Sequence, residues 1–304
     1  MSRRQREAKE RARQLVAAQR RAEERRRRLA IAGAGVAAVV LVLVVLVVVK
    51  LSSSPKPADG YEASSGPAPA AVLAAVSAVP ADILDRVGTG KVSTLPKGVT
   101  GQAVLTSNGK PLVVYIGAEY CPFCAAQRWS VAVALSRFGT FTDLGVSHSA
   151  SDDVYPNTPT LSFHGANYTS TYLEFQGVET NSNRREGNGY ALLDTPTSQQ
   201  KQLLATFDAP PYVAKDSAGS IPFLDFANQA VISGASYSPE LFAGKSVEQV
   251  AQALADPASP IAQAVDGAAN AFTALLCQLT RGEPGAVCTS AAVTAYAGKL
   301  SAPS

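Results

Sequence analysis

Histidine, tryptophan and methionine are scarce in this 304-residue chain, which has two His, one Trp and one Met. Two imidazoles, His148 and His164, are too few for a histidine-rich metal centre, and they nominate no Ser–His–Asp arrangement. His164, near the end of a strand-like run, reads as structural. No internal repeat is apparent. Cysteine is sparse too: four residues, in one close pair (Cys121, Cys124) and one wider pair (Cys277, Cys288). A zinc ribbon needs a second close pair, whereas the wider one has ten residues between its members.

Net positive charge is missing from most of the chain. Residues 1–28 hold twelve Lys or Arg against four Glu, a net +8. The whole chain is +3, which leaves −5 for residues 29–304. The basic balance belongs to the tail, and nothing in the main body points to nucleic acid. Leu29–Val49 is uncharged over 21 residues, about 30 Å as a helix. The run is longer than the apolar part of a secretory signal and ends in Lys50-Leu51-Ser52 without a clear cleavage box. The reading is a cytoplasmic basic tail (1–28), an uncleaved single-pass transmembrane anchor (29–50), and export of everything after it. Residues 51–70, rich in Ser, Pro, Gly and Ala, read as a linker. Residues 71–300 read as one extracytoplasmic domain, and four cysteines suit an oxidising compartment.

The strongest local signal lies in residues 113–124. Val113-Val114-Tyr115-Ile116 has the composition of a strand, and Gly117-Ala118-Glu119-Tyr120 that of a turn. Pro122 suits the first position of a helix running to Phe138, with Arg137 in its last turn and Gly139 as its stop. Cys121 is therefore expected at a helix N-terminus, where first-turn amides and the dipole favour a thiolate. Cys124, one turn on, is placed to resolve a mixed disulfide. Such chemistry needs no cofactor. A structural disulfide and a metal half-site, as in a metal chaperone, are the competing readings. Trp129 reads as core. Arg128 either stays near the cysteines and favours the thiolate, or reaches solvent.

Further along, Ser107-Asn108-Gly109-Lys110 marks a tight turn. Thr158–His164 and Tyr172–Val178 read as strands, 181–194 as loop, and Thr195–Phe207 as a helix. Asn167-Tyr168-Thr169 matches a glycosylation acceptor. Ile221-Pro222 opens a strand and is a candidate cis peptide, followed by a turn at Asn228 and a second strand. Alternation favours the surface for Asp225; a buried proton carrier is its other reading. Helices follow from about Ser246, over 258–280, and through Lys299. Cys277 and Cys288 flank the turn Gly282–Gly285, so a structural disulfide there staples two helices. Closing so short a loop is worth about 3 kcal/mol. An electron relay from this pair to Cys121 and Cys124 is the alternative.

The order of strand, Cys-x-x-Cys on a helix, further strands, Ile-Pro opening a hairpin and a C-terminal helix resembles the thioredoxin fold. In that family a cis-proline loop packs against the active-site cysteines and shapes the substrate groove; the matching positions are Pro222, with Ile221 before it. Cys121-Pro122-Phe123-Cys124 is similar to the motifs of glutaredoxins and bacterial disulfide oxidoreductases. The chain departs from thioredoxins in Tyr120, where they usually place Trp, and in lacking an acid within the preceding strand. Tyr115-Ile116-Gly117-Ala118-Glu119-Tyr120-Cys121-Pro122-Phe123-Cys124-Ala125-Ala126-Gln127-Arg128-Trp129 and Tyr155-Pro156-Asn157-Thr158-Pro159-Thr160 resemble the domain of unknown function 929 family, membrane-anchored thioredoxin-like proteins of actinobacteria and archaea.

The resemblance implies an α/β thioredoxin-like fold with an inserted segment at about 140–215, preceded by one transmembrane helix. It implies a membrane-tethered thiol–disulfide oxidoreductase with Cys121 and Cys124 as catalytic residues and Pro222 and Ile221 at the substrate. Its partners would be exported cysteine-containing proteins and a membrane redox partner. The alternative is a non-catalytic cell-envelope binding or scaffold protein on the same fold, with Cys121 and Cys124 in a permanent disulfide.

Overall fold

The computed structural model describes residues 65–296 together with Lys299 and Leu300. They fall in one compact unit, Glu62–Ser304. The basic tail, the anchor and residues 51–64 of the linker lie outside the described residues.

In chain order, strand β1 (Gly66–Pro67) is followed by helices α1 (Ala70–Ser77) and α2 (Ala81–Val87). Strands β2 (Lys97–Gly98), β3 (Thr106–Ser107) and β4 (Lys110–Gly117) lead into helix α3 (Pro122–Ser136). Seven strands then run in succession: β5 (Gly139–Thr142), β6 (Gly145–His148), β7 (Pro159–Ser162), β8 (Asn167–Ser170), β9 (Glu174–Glu179), β10 (Asn181–Glu186) and β11 (Gly189–Leu192). Helix α4 (Ser198–Phe207) precedes the hairpin of β12 (Phe223–Phe226) and β13 (Ala230–Ser233). Helices α5 (Val247–Ala253), α6 (Pro260–Leu279), α7 (Gly285–Cys288) and α8 (Ala291–Thr294) close the chain.

Strand β4 is the centre of the largest sheet. It pairs antiparallel with β12, Ile116 opposite Phe223 and Val113 opposite Phe226, and parallel with β9, Leu112 opposite Glu174 and Gly117 opposite Glu179. Both faces are covered, which is why β4 reads as a continuous apolar run rather than an alternating one. The pleat still sorts its side chains. Val113 and Tyr115 join the core built on α3 and α6, with Trp129, Phe226 and Phe272. Leu112, Val114 and Ile116 point the other way, towards Leu203 and Phe207 of α4.

The structure corrects the expectation of a thioredoxin-like fold with an inserted segment; the one transmembrane helix expected to precede it falls at 29–50, outside the described residues. The described residues form a mixed α/β structure with several sheets: six strands around β4, a three-stranded sheet β1-β6-β7, and the pairs β5-β8 and β10-β11. The segment expected to be an insertion supplies β9, hydrogen-bonded along β4. Strand β9 lies at the edge of this sheet, and Glu174-Phe175-Gln176-Gly177 is too polar to announce a partner for the apolar β4. Among the described residues no helix is long and apolar enough to cross a membrane. Residues 181–194, expected to be loop, carry the β10–β11 hairpin, whose register breaks between Asn181 and Arg185.

At the C-terminal end, Cys277 near the end of α6 is disulfide-bonded to Cys288 of α7, with Cα atoms 5.5 Å apart. Helix α6 also buries Asp266, whose two carboxylate oxygens have no hydrogen-bond partner among the described residues. Burial lifts this carboxyl from the usual 3.8 to about 8, against the pull of Arg137.

Both features of α6 bear on stability. The folded state keeps the Asp266 proton up to about pH 8, whereas an ordinary carboxyl loses it near 3.8. The stability conferred by the neutral form is therefore lost as pH rises through that window. Asp266→Asn removes this loss. In urea unfolding at a series of pH values, its advantage over the parent grows from about pH 4 to about pH 8 and then levels off; a difference independent of pH would show that Asp266 is already ionised in the fold. Cys277→Ala/Cys288→Ala lowers unfolding free energy by about 3 kcal/mol, read in the same assay.

Candidate active site

Strand β4 ends at a turn that its neighbours strap down. Thr180, just past β9, donates its backbone N–H to the Gly117 carbonyl at 2.8 Å, and Glu119 donates to the Asn181 carbonyl at 2.8 Å. On the other side Ala150 donates to the Tyr120 carbonyl at 2.9 Å. Gly117 is required because a Cβ there would collide with the Tyr115 hydroxyl.

Cys121 is the N-cap residue of α3, with extended backbone, and Pro122 opens the first turn. The Cys124 amide donates to Cys121 Sγ at 3.3 Å. The Cys121 thiol in turn donates to the Ile221 carbonyl at 3.8 Å. The Ile221–Pro222 bond is cis, and Pro222 is anchored through its carbonyl, which accepts from Gly234 at 2.8 Å. Thus Cys121, Cys124 and the Ile221-Pro222 step meet at one place although a hundred residues separate Cys121 from Ile221. Cys277 and Cys288 are bonded to each other and belong to the α6–α7 corner.

The two thiols are free and differ in setting. Cys121 is 7% exposed and Cys124 is fully buried. The hydrogen bond from the Cys124 side chain holds the Cys121 thiol below its ordinary value, burial opposes this, and the Cys124 amide and the Arg128 charge add to the lowering. Burial pushes Cys124 well above the ordinary thiol value, and its hydrogen bond to Cys121 pushes in the same direction. The sulfur nearer the surface thus ionises more readily than the one beneath it.

Under the cysteines lies an ion pair in which Arg128 and Glu179 are both fully buried. The guanidinium donates to both Glu179 oxygens at 2.6 Å, to the Ala118 carbonyl at 2.7 Å and to Thr160 Oγ1 at 3.3 Å. Burial works against the Arg128 charge, but Glu179 overcomes it and holds the group well above its usual value. Burial also lifts the Glu179 carboxyl, with Arg128 pulling back. Glu179 carried no signal in the sequence, and Thr160 stood out only as the end of the Tyr155–Thr160 motif: they lie 51 and 32 residues from Arg128, and only the pairing of β9 with β4 brings Glu179 in.

Aromatic side chains wall the turn. Tyr120 stacks on Tyr190, centroids 4.3 Å apart and nearly coplanar at 7°. Arg185 lies over the Tyr190 ring at 4.3 Å and pairs with Asp152 at 2.6 Å, and the Tyr190 hydroxyl donates to the same carboxylate at 3.0 Å. Phe123, between the cysteines, is 39% exposed and meets Tyr155 edge-on. Asp225, expected at the surface, is instead buried. Both its oxygens accept from the Asn228 amide at 3.1 Å, and burial lifts it to about 7. It holds the β12–β13 turn. His148 bonds to the Ser149 carbonyl and His164 to Asp194. Among the described residues no cluster of three His, Cys, Asp or Glu is placed to hold a metal ion.

A cleft of about 540 Å³ opens beyond Glu119, lined also by Ser162, Ser182, Asn183, Arg184 and Leu192. Glu119 is buried and accepts from Ser162 Oγ at 2.6 Å and Ser147 Oγ at 3.1 Å. The cysteines are not part of its lining.

The sequence model of a family described as a domain of unknown function (DUF929) matches residues 99–278, more than half of the chain. The chain belongs to the DUF929 family. No curated protein matches it. No solved structure matches it either. The span that defines this DUF929 domain runs through β4, α3, β9 and the β12–β13 hairpin to Cys277, so it contains both free thiols, the buried ion pair and the Ile221-Pro222 step.

The difference between the two thiols in this DUF929 domain is measurable. In the reduced full chain, iodoacetamide modifies Cys121 first, at a rate that levels off at a pH below the ~8.5 of a free thiol. Cys124 reacts only when the protein unfolds. Peptide mapping by mass spectrometry checks both statements, and equal labelling of the two would overturn the burial of Cys124 beneath Cys121.

Proposed function

We propose that this DUF929 chain is a thiol–disulfide oxidoreductase working through Cys121 and Cys124. The single observation that carries the reading is the inequality of the two sulfurs. A helix N-cap thiol with a lowered pKa lies near the surface beside the Ile221 carbonyl, and a buried thiol with a raised pKa sits one turn behind it. A merely structural disulfide has no use for that inequality.

In the reducing direction the Cys121 thiolate attacks one sulfur of a substrate disulfide. A mixed disulfide forms and the other substrate sulfur leaves as a thiolate. The Cys124 proton passes to that departing thiolate, and the Cys124 sulfur then attacks Cys121 Sγ, closing the Cys121–Cys124 bond and releasing the second substrate thiolate. Two electrons pass from the dithiol to the substrate, and the reverse sequence oxidises a substrate dithiol. The Ile221-Pro222 step orients the substrate backbone beside Cys121, which its carbonyl already touches. Substrates are exported cysteine-containing proteins. The apolar run Leu29–Val49 tethers the domain to the membrane on its extracytoplasmic side, within reach of a membrane partner that exchanges electrons with the pair.

The cleft beyond Glu119 favours a second reading, a non-catalytic binding protein, because polar side chains contribute to its walls and the cysteines are absent from its lining. Trapping separates the two. The full-length Cys124→Ser chain accumulates mixed disulfides through Cys121 when offered oxidised, unfolded ribonuclease. Cys121→Ser traps none, and the parent reduces or oxidises the protein catalytically. Absence of trapping and turnover in a chain with both thiols free leaves the binding reading.

A further inference from the structure

The Arg128–Glu179 pair bears on the dithiol above it. Cys121, Cys124 and Arg128 are spaced i, i+3 and i+7, so all three lie on one face of α3. Long side chains on a helix lean towards its N-terminus. Arg128 does so far enough to donate to the carbonyl of Ala118, three residues before Cys121. Its charge is held at the base of the turn, out of water, where electrostatic effects are screened least. Glu179 approaches from the end of β9 and takes two of the guanidinium N–H groups. The other groups facing the pair are Tyr115 of β4, Glu119 of the turn and the hydroxyl of Thr160 from β7. Glu119 is already occupied by two serine hydroxyls.

We infer that Arg128 and Glu179 are positioning residues that set the redox poise of the Cys121–Cys124 pair, the guanidinium stabilising the thiolate and the carboxylate limiting how far it does so. The inference rests on the proposed oxidoreductase reading. The direction follows from the sign of the charge on the shared helix face: Arg128 lowers both thiols, and for Cys124 its influence outweighs that of Glu179. A thiolate stabilised in the reduced form makes the disulfide easier to reduce, so the pair as built is a stronger oxidant than the same dithiol without the charge.

The test uses two variants of the full chain with opposite expected signs. Arg128→Met/Glu179→Gln removes both charges without leaving one unpaired. The thiolate midpoint of Cys121, from the pH dependence of its alkylation rate, rises. At a fixed glutathione poise the reduced fraction falls about tenfold relative to oxidised, which is a potential about 30 mV more negative. Glu179→Gln keeps Arg128 and moves both readings the other way. A pair with only a structural role would lower the melting temperature of both variants and leave midpoint and potential at the parental values; that result overturns the inference. The thiolate midpoint is read whether or not the pair cycles. A parent that never forms a reversible Cys121–Cys124 disulfide therefore defeats the proposed function, while the midpoint still judges the role of Arg128.

Discussion

A buried guanidinium keeps its charge, so its five N–H donors must find acceptors or stay unsatisfied in the interior, and Arg128 finds them on three different parts of the fold. Glu179 comes from β9, Thr160 from β7, and the Ala118 carbonyl from the turn itself. Satisfying one side chain thus fixes the distance between α3, the β4–β9 edge of the main sheet and the β6–β7 sheet. Removing one partner of such a pair strands a charge in the interior, at a cost of about 3–5 kcal/mol. The apolar contacts of Trp129, Phe163 and Tyr115 fill the space around the pair, and the pair prescribes which way the pieces face.

From that anchor the rest of the site follows by short steps. Strand β4 is held in register on both sides, so its end is fixed. The turn after it is strapped by Thr180 and Asn181, which directly follow the strand that supplies Glu179. The turn places Cys121 at the N-cap and Cys124 inside the first helical turn. The β12 strand pairs with the same β4 from the other edge and brings Ile221 and Pro222 to the less buried sulfur. The difference between the two thiols is therefore a property of the sheet as much as of the cysteine motif.

Local sequence pattern showed the parts of this that are local. The strand, turn and helix over 113–136 were legible because the apolar run, Pro122 and Gly139 act within a few residues of one another. Helix α4 starts three residues later than the expected Thr195, since Thr197 caps it and forms a capping box with Gln200. The long-range features were hidden. Nothing in Tyr172–Val178 tells that the strand there joins β4 in parallel, and Arg128 had two readings until its partner was known. Asp225 was misplaced because alternation assigns a face but does not say that both faces of the sheet are covered. The hairpin of 181–192 was missed because its stability comes from Tyr190 stacking on Tyr120 and from Asp152 gripping Arg185, not from apolar residues in its strands.

The disulfide at the α6–α7 corner closes a loop with a sequence separation of 11, and the two cysteines at the start of α3 are closer still. Four cysteines admit three pairings, and the other two here would each join cysteines more than a hundred residues apart. Loop-closure entropy grows with the length of chain to be closed, so random encounter in the unfolded chain favours Cys277–Cys288 over a bond from either of them to Cys121 or Cys124. The chain is thereby biased towards the one bond that spares Cys121 and Cys124, and errors of pairing are left as the rarer, slower events.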